Sequence, residues 1–309
     1  MIQIDTTPTI TEINQIPDRL MATILEQVVS FKRQHEGLIH VVKASGKIVD
    51  HPVIRENFAK QIVAMRRDLG LKVVVVHGAG KQIDAALNAA KFVSRKENGL
   101  RITEADHIET IDRVVRDTNK TLCNMFADVS KGDVLPLGMP GYHPDVEILG
   151  KPIDAANNNF SASQIVSVNP WRMLHLLNDP KVIPVITNMC AIDEEHENAS
   201  IVNVNADTVA SALAISLKAH RLLMCSDVPG VLDKENKVIA EIAPHEVAGL
   251  KASGILGGGM LVKVNEAFAT AGQMKADSGV VIMDENFLME LLTPKGHGTM
   301  FRAFTPASS

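Results

Sequence analysis

Between Asp18 and about Gln34 the apolar residues recur at intervals of four, with Leu20, Ile24 and Val28 beside Met21, Leu25 and Val29. That spacing gathers them on one stripe of an amphipathic helix. Residues 1–16 before it are polar and carry Thr-Pro and Ile-Pro breakers, so irregular chain is expected there. The pattern then changes. Leu38 to Lys43 is a short apolar run, and Leu71 to Val76 is a nearly continuous β-branched run. A strand of the second kind is covered on both faces, as in a parallel sheet. Helical spacing returns over Phe58 to Leu69 and Gln82 to Ala90, and a longer helix is expected from Thr103, with Asp106 completing a capping box, to about Ala127. Residues 132–163 are rich in Gly, Pro and Asn and read as hairpins or loops over one face.

The second half repeats the alternation. Strands are expected over Val182 to Thr187, Arg221 to Cys225, Val280 to Met283 and Thr299 to Arg302, and helices over Asn205 to Leu217, Leu261 to Ala271 and Glu285 to Leu292. Asp193 to Asn198 reads as a polar hairpin turn. Alternating strands and helices predict an α/β fold around a largely parallel central sheet.

Composition narrows the function classes. The 309 residues suffice for one large core or two lobes, and 46% hydrophobic with 22% charged residues is an ordinary globular balance. A net charge of −5 gives no electrostatic support to nucleic-acid binding. The three cysteines, Cys123, Cys190 and Cys225, are odd in number and widely spaced, which argues for a reducing compartment. No apolar run is long enough to span a bilayer, and the N-terminus lacks the features of a signal peptide, so a cytoplasmic location is expected.

Several residues could carry chemistry. His77-Gly-Ala-Gly80 follows a strand and opens a helix, where backbone amides and the helix dipole favour an anion. The loop lacks the third glycine of a dinucleotide fingerprint and the Ser or Thr of a Walker A loop. Lys43 ends a strand, with Ser45 and Gly46 following, and could reach a transferred phosphoryl group. Asp207 falls in the first turn of a helix. Lys263 follows Gly257-Gly-Gly259, three glycines that cost a helix stability and so suit a phosphate-contacting turn. Plainer readings stand beside these: an ordinary βα turn, a snorkelling lysine and a helix-capping aspartate. Asp193-Glu-Glu-His-Glu197 reads as a solvated turn rather than a metal site, and no protein metal ligand is assigned. Tyr142, His143 and Asp145 lie in the loop-rich segment without a defined role.

The order of these motifs over residues 37–302 resembles the amino acid kinase family, and within it the acetylglutamate kinases. Lys43-Ala-Ser45-Gly46 is similar to that family's lysine-glycine motif, His77 to Gly80 to its His-glycine motif, and Gly99-Leu-Arg101-Ile-Thr103 to its substrate-carboxylate arginine motif. Asn203-Val-Asn-Ala-Asp207 is similar to the motif that carries the family's substrate asparagine and lysine-organising aspartate, Ser226-Asp-Val-Pro-Gly230 resembles the nucleotide-side loop, and Lys263 matches the place of the second catalytic lysine. The resemblance implies an αβα sandwich in which Lys43, Lys263 and Asp207 are catalytic. It implies that Gly78, Ala79, Gly80, Arg101 and Asn203 bind the acyl amino acid. Ser45, Gly46, Ser226, Asp227, Gly230, Gly258 and Gly259 would hold the nucleotide. The implied reaction transfers phosphate from ATP, with Mg²⁺, to the side-chain carboxylate of N-acetyl-L-glutamate, and Asp207 would hold both lysines. Residues 37–216 would form the acyl-amino-acid lobe, residues 217–309 the nucleotide lobe, and residues 1–36 an extension with an amphipathic helix like the one that links dimers into a hexamer in the family, so a homodimer or homohexamer is expected.

Ser45, Ala79 and Lys81 depart from the family pattern, and the histidine usual before Glu290-Leu-Leu-Thr293 is missing. A second reading is accordingly a weak or inactive relative that binds nucleotide or amino acid as a regulator, or a kinase for a related N-acyl amino acid.

Overall fold

The computed structural model describes residues 15–97, 100–193, 199–292 and 296–302. The irregular N-terminal stretch and the polar turn expected before Asn198 fall mostly outside them. Helix α1 (Asp18–His35) has Asp18 in its first turn and Lys32, Arg33 and His35 in its last, which complements the helix dipole. Strand β1 (Ile39–Ala44) follows. A short helix α2 (Gly46–Asp50), capped by the Ser45 hydroxyl accepting from the Ile48 amide, was not expected. Helix α3 (Pro52–Val63) starts earlier than its apolar residues suggest, because Pro52 pre-sets the first helical turn. It continues as a π-helical segment over Ala64–Asp68.

Strand β2 (Lys72–His77) leads into α4 (Gly80–Ala89). A small antiparallel ribbon, β3 (Arg95–Glu97) and β4 (Leu100–Ile102), comes next. Helix α5 (Ala105–Ser130) is capped by Glu104 and His107 rather than by Thr103 and Asp106. Thr103 is buried and bonds elsewhere.

The segment read as loops holds three strands: β5 (Leu135–Met139), β6 (Ile148–Asp154) and β7 (Asn159–Val168). Strands β6 and β7 make the expected hairpin, whereas β5 joins the central sheet. The chain continues through α6 (Trp171–Leu176), β8 (Val182–Thr187), β9 (Met189–Ile192), β10 (Ile201–Val204) and α7 (Ala206–Ser216). It ends with β11 (Arg221–Cys225), α8 (Val247–Ala252), α9 (Gly258–Ala271), β12 (Gly279–Met283), α10 (Phe287–Leu292) and β13 (Thr299–Phe301).

Seven strands form one sheet in the order β13-β12-β11-β1-β2-β8-β5, parallel except for the β12–β13 pair. Strands β10, β7, β6 and β9 close a small barrel. Alternate residues of β2 point to opposite sides: Val74 and Val76 enter one core, Val73 and Val75 the other. Ile83 and Leu87 of α4, Val209 and Leu213 of α7 and Val264 of α9 cover the first face. Phe58 and Ile62 of α3, Phe126 of α5 and Phe287 of α10 cover the second. The α/β expectation, with helices on both sides of a largely parallel sheet, holds.

Because β11, β1 and β2 are adjacent and parallel, their C-terminal ends share one edge. Ser226, Ser45 with Gly46, and Gly78 to Gly80 follow these three strands directly. In open parallel sheets that edge is where ligands bind.

Candidate active site

Lys43 reaches off β1 toward the first turn of α7. Its Nζ lies 2.7 Å from Asp207 Oδ1, and the two side chains are 14% and 12% exposed. The contact is an ion pair without hydrogen-bond alignment. Asn205 caps α7 by accepting from the Asp207 amide at 3.1 Å, which fixes the helix start and hence the carboxylate. The positive end of the helix favours that charge.

The Gly78–Gly80 loop closes on the same helix start. A Cβ at Gly78 would stand 3.4 Å from that of Ala206. His77, fully buried and pushed down to about 4 by burial, anchors the loop. Asn119 Nδ2 donates to its Nε2 at 3.0 Å, so Nδ1 carries the proton and donates to the Gly78 carbonyl at 3.2 Å. At Gly46 and Gly80 the place of a Cβ is open space, so an anion can approach the backbone there.

A cleft of about 310 Å³ opens between this loop and the barrel. Lys43, Gly46, Gly78, Ala79, Gly80, Arg101 and Asn203 line it. Arg101, on β4, donates to Asp84 and Ser94 and, at 3.1 Å, to the Gly80 carbonyl. The Arg101 guanidinium holds the Asp84 carboxyl well below the usual carboxylate range. Asn203 donates to Thr103 Oγ1 at 3.0 Å and accepts from Asn188 at 2.9 Å.

Four cleft residues escaped the sequence reading. Lys96 lines the cleft from β3 and pairs with Asp84 at 3.1 Å. Ser161 and Ala162 of β7 and Asn188 at the end of β8 complete the wall. Lys96 sits in a charged run that resembles any solvated loop. Asn188 is a single polar residue just past an apolar strand, and the Asn188 Oδ1 is buried without a partner.

The nucleotide-side candidates gather separately. Lys263 Nζ donates to Ser226 Oγ at 2.8 Å. Among the described residues no ion pair joins Lys263 to Asp207, so the expectation that Asp207 holds both lysines needs correction: Asp207 is taken by Lys43, and Ser226, just past β11, receives Lys263. Gly257 is the N-cap of α9, and Gly258, at φ +51, opens it. Open space stands where Cβ atoms of Gly257, Gly258 and Gly259 would be. Asp227 acts on Lys81 only through space, and Lys81 pairs with Asp50 at 2.7 Å. The Ser45 hydroxyl is spent on capping α2. Gly230 is held at φ +154, where a Cβ would meet Thr299 Oγ1 at 2.7 Å, so its lack of a side chain serves packing on β13.

A largely parallel sheet with two lysines, an aspartate and three glycine-opened helices at one edge defines a phosphoryl-handling α/β protein. The model of the Amino acid kinase family matches residues 39–283, and the chain belongs to that family. The acetylglutamate kinase of Rhizobium etli (strain CIAT 652) is 31% identical over 93% of this chain and 99% of its own. That of Delftia acidovorans (strain DSM 14801 / SPH-1) is 32% identical over 94% and 99%. Among solved structures, N-acetylglutamate synthase from Neisseria gonorrhoeae superposes with a TM-score of 0.73 at 18% identity, over 92% of this chain and 65% of that one. Carbamate kinase from Giardia lamblia does so with a TM-score of 0.61 at 17% identity, over 85% and 98%. These two likenesses show the fold.

Proposed function

We propose that this chain transfers the γ-phosphoryl group of ATP to the side-chain carboxylate of N-acetyl-L-glutamate, forming an acyl phosphate and ADP. The Lys43–Asp207 pair at the head of a cleft that also holds Arg101 and Asn203 carries the reading. The names of the full-length relatives support it. The substrate carboxylate attacks phosphorus in line and ADP leaves. No covalent enzyme intermediate is needed, so positioning and charge dominate. Lys43 and the amides after Gly46 and Gly78 stabilise the transferring group, and Lys263 stabilises the leaving phosphates. Arg101, held by Asp84, presents its remaining donors to the α-carboxylate, and Asn203 takes part in binding the same end.

The open positions at Gly257 to Gly259 suit nucleotide phosphates approaching the backbone. Mg²⁺ would neutralise charge between the phosphates. The donor set offers it no cage: Asp207 is paired with Lys43, and the Glu104–Asp106–His107 group is engaged in capping α5 and in binding Arg95. An ion carried by the nucleotide and its waters fits that donor set. Residues 37–216 serve as the acyl-amino-acid lobe and residues 217–309 as the nucleotide lobe.

Trapping the acyl phosphate with hydroxylamine tests the reaction. N-acyl glutamate, aspartate and aminoadipate are compared with and without ATP. Hydroxamate from N-acetyl-L-glutamate in preference to the others is expected; none from any acceptor refutes the reading. Arg101→Ala should raise KM for the acyl amino acid at least tenfold while leaving KM for ATP nearly unchanged, because a bidentate carboxylate contact is lost. Equal rises in both would remove Arg101 from the acyl site.

Assembly is part of the same proposal. Val28 and Phe31 of α1 pack on the core, but Leu20 and Leu25 are 52% and 56% exposed, and Ile24 and Val29 are exposed beside them. An isolated helix of this length is marginal in water. A core-to-core homodimer, joined to others through α1, covers that stripe, and the enzyme operates in the cytoplasm. Deleting residues 1–36 should lower the mass measured by light scattering to that of a dimer. An unchanged mass would show that α1 links nothing.

A further inference from the structure

A fourth ionisable side chain belongs to the lysine–aspartate cluster. Glu266 lies on α9, three residues after Lys263 and so on the same face of the helix. Helix α9 touches α7 through a hydrogen bond from Thr270 Oγ1 to Ser211 Oγ at 3.0 Å. Both helices begin at the same edge of the sheet, since Asp207 meets Lys43 at the end of β1 and Lys263 meets Ser226 just past β11. They therefore run parallel. Glu266 is four residues before Thr270, and Asp207 four before Ser211. One turn up from the hydrogen-bonded pair, the two carboxylates face each other across the helix contact.

The electrostatics agree with this placement. The Glu266 carboxyl is raised from its ordinary value, first by burial and then by the charge of Asp207, while Lys43 and Lys263 act in the opposite sense. These are the charged groups around it: Asp207 from α7, Lys43 from β1 and Lys263 from its own helix. Glu266 is half-buried, and among the described residues its carboxylate has no ion pair or hydrogen bond. An unpaired half-buried carboxylate destabilises a fold, so a role in the site explains its presence better than packing does.

We propose that Glu266 is a positioning residue for phosphoryl transfer, a second carboxylate beside Asp207 whose charge acts on Lys43 and Lys263 through space. This rests on the kinase reading above. Two lysines and two carboxylates balance in charge. Asp207 keeps Lys43 aligned, while Lys263 rests on a neutral hydroxyl and can turn to the phosphates. Glu266 tempers the positive charge of both, so the site does not hold nucleotide too tightly before and after transfer.

Three readouts test this with Glu266→Gln, which keeps the shape and removes the charge. In turnover, kcat should fall about tenfold while KM for ATP falls severalfold and KM for the acyl amino acid stays put, the signature of tightened ground-state binding. In calorimetry, Mg·ADP should bind the variant severalfold tighter, most clearly at low salt. In thermal unfolding, the variant should melt higher than the wild type at pH 8. The sign follows from linkage. A carboxyl raised in the folded state penalises the fold when ionised, so the penalty is present above the raised value and fades as pH falls through it. The melting difference should shrink in the same direction. Glu266→Asp should recover part of kcat. A Gln variant with wild-type kcat and wild-type ADP affinity overturns the proposal, as does one that melts lower at pH 8, which would mark a structural residue. The calorimetric and thermal arms need no acyl acceptor, so a wrong acceptor leaves them informative.

Discussion

Lys43→Ala and Lys263→Ala are each expected to lower kcat by about 10²–10³, the usual loss on removing one preorganised charge-stabilising donor. The two should differ in how they fail. Lys43 is bound to Asp207 at 2.7 Å and lines the cleft, so it is aimed before any ligand arrives. Its loss should fall on kcat, with little change in KM for ATP. Lys263 rests on Ser226 and must turn to reach a phosphate. Its loss should lower kcat and also raise KM for ATP. Ser226→Ala offers the control: it frees Lys263 without deleting it, and should cost less than tenfold. Circular dichroism must show an intact fold in each variant. A lysine whose alanine variant turns over at near wild-type rate has no part in the chemistry.

The sheet was legible where side chains had to be buried on both faces. The runs that became β2, β8, β11 and β12 consist almost wholly of apolar residues, and each is buried along most of its length. Strand β5 was missed because Leu-Pro-Leu-Gly-Met carries two breakers and lies at the sheet edge, with Leu135 half-exposed. There only β8 pairs with it, and burial imposes no β-branched pattern. The cap of α5 was misplaced because Thr103 suits an N-cap by type, yet in the fold it meets Asn203 from β10. No local pattern encodes that meeting. The site divides in the same way. Glycines after strands announced where backbone lies open, at Gly46, Gly80 and Gly257 to Gly259. The resemblance implied that Asp207 would hold both lysines; that it meets Lys43 while Lys263 meets Ser226 depended on where α7 and α9 sit on the sheet. Lys96 and Asn188 reach the cleft from the β3–β4 ribbon and the end of β8, and only the packing of ribbon and barrel against the Gly78 loop makes them neighbours of Lys43.

Asp207→Asn is expected to lower kcat by about 10² and stability by roughly 3 kcal/mol, the low end for breaking a buried ion pair. The asparagine matches the shape of the carboxylate, so packing is kept. What is lost is the charge opposite Lys43, whose ammonium then lacks its ion-pair partner in a nearly closed site. A smaller part of the loss, about 0.3–1 kcal/mol, comes from removing a negative charge at the N-terminus of α7. The double variant Lys43→Ala with Asp207→Asn separates the two roles of the pair. Most of the stability should return, because no buried charge is left unpaired, and urea unfolding midpoints should show strong non-additivity. The rate should not return, because the lysine that meets the phosphoryl group is gone. Full turnover in Asp207→Asn, or a double variant as unstable as the sum of the singles, would show that the pair organises nothing.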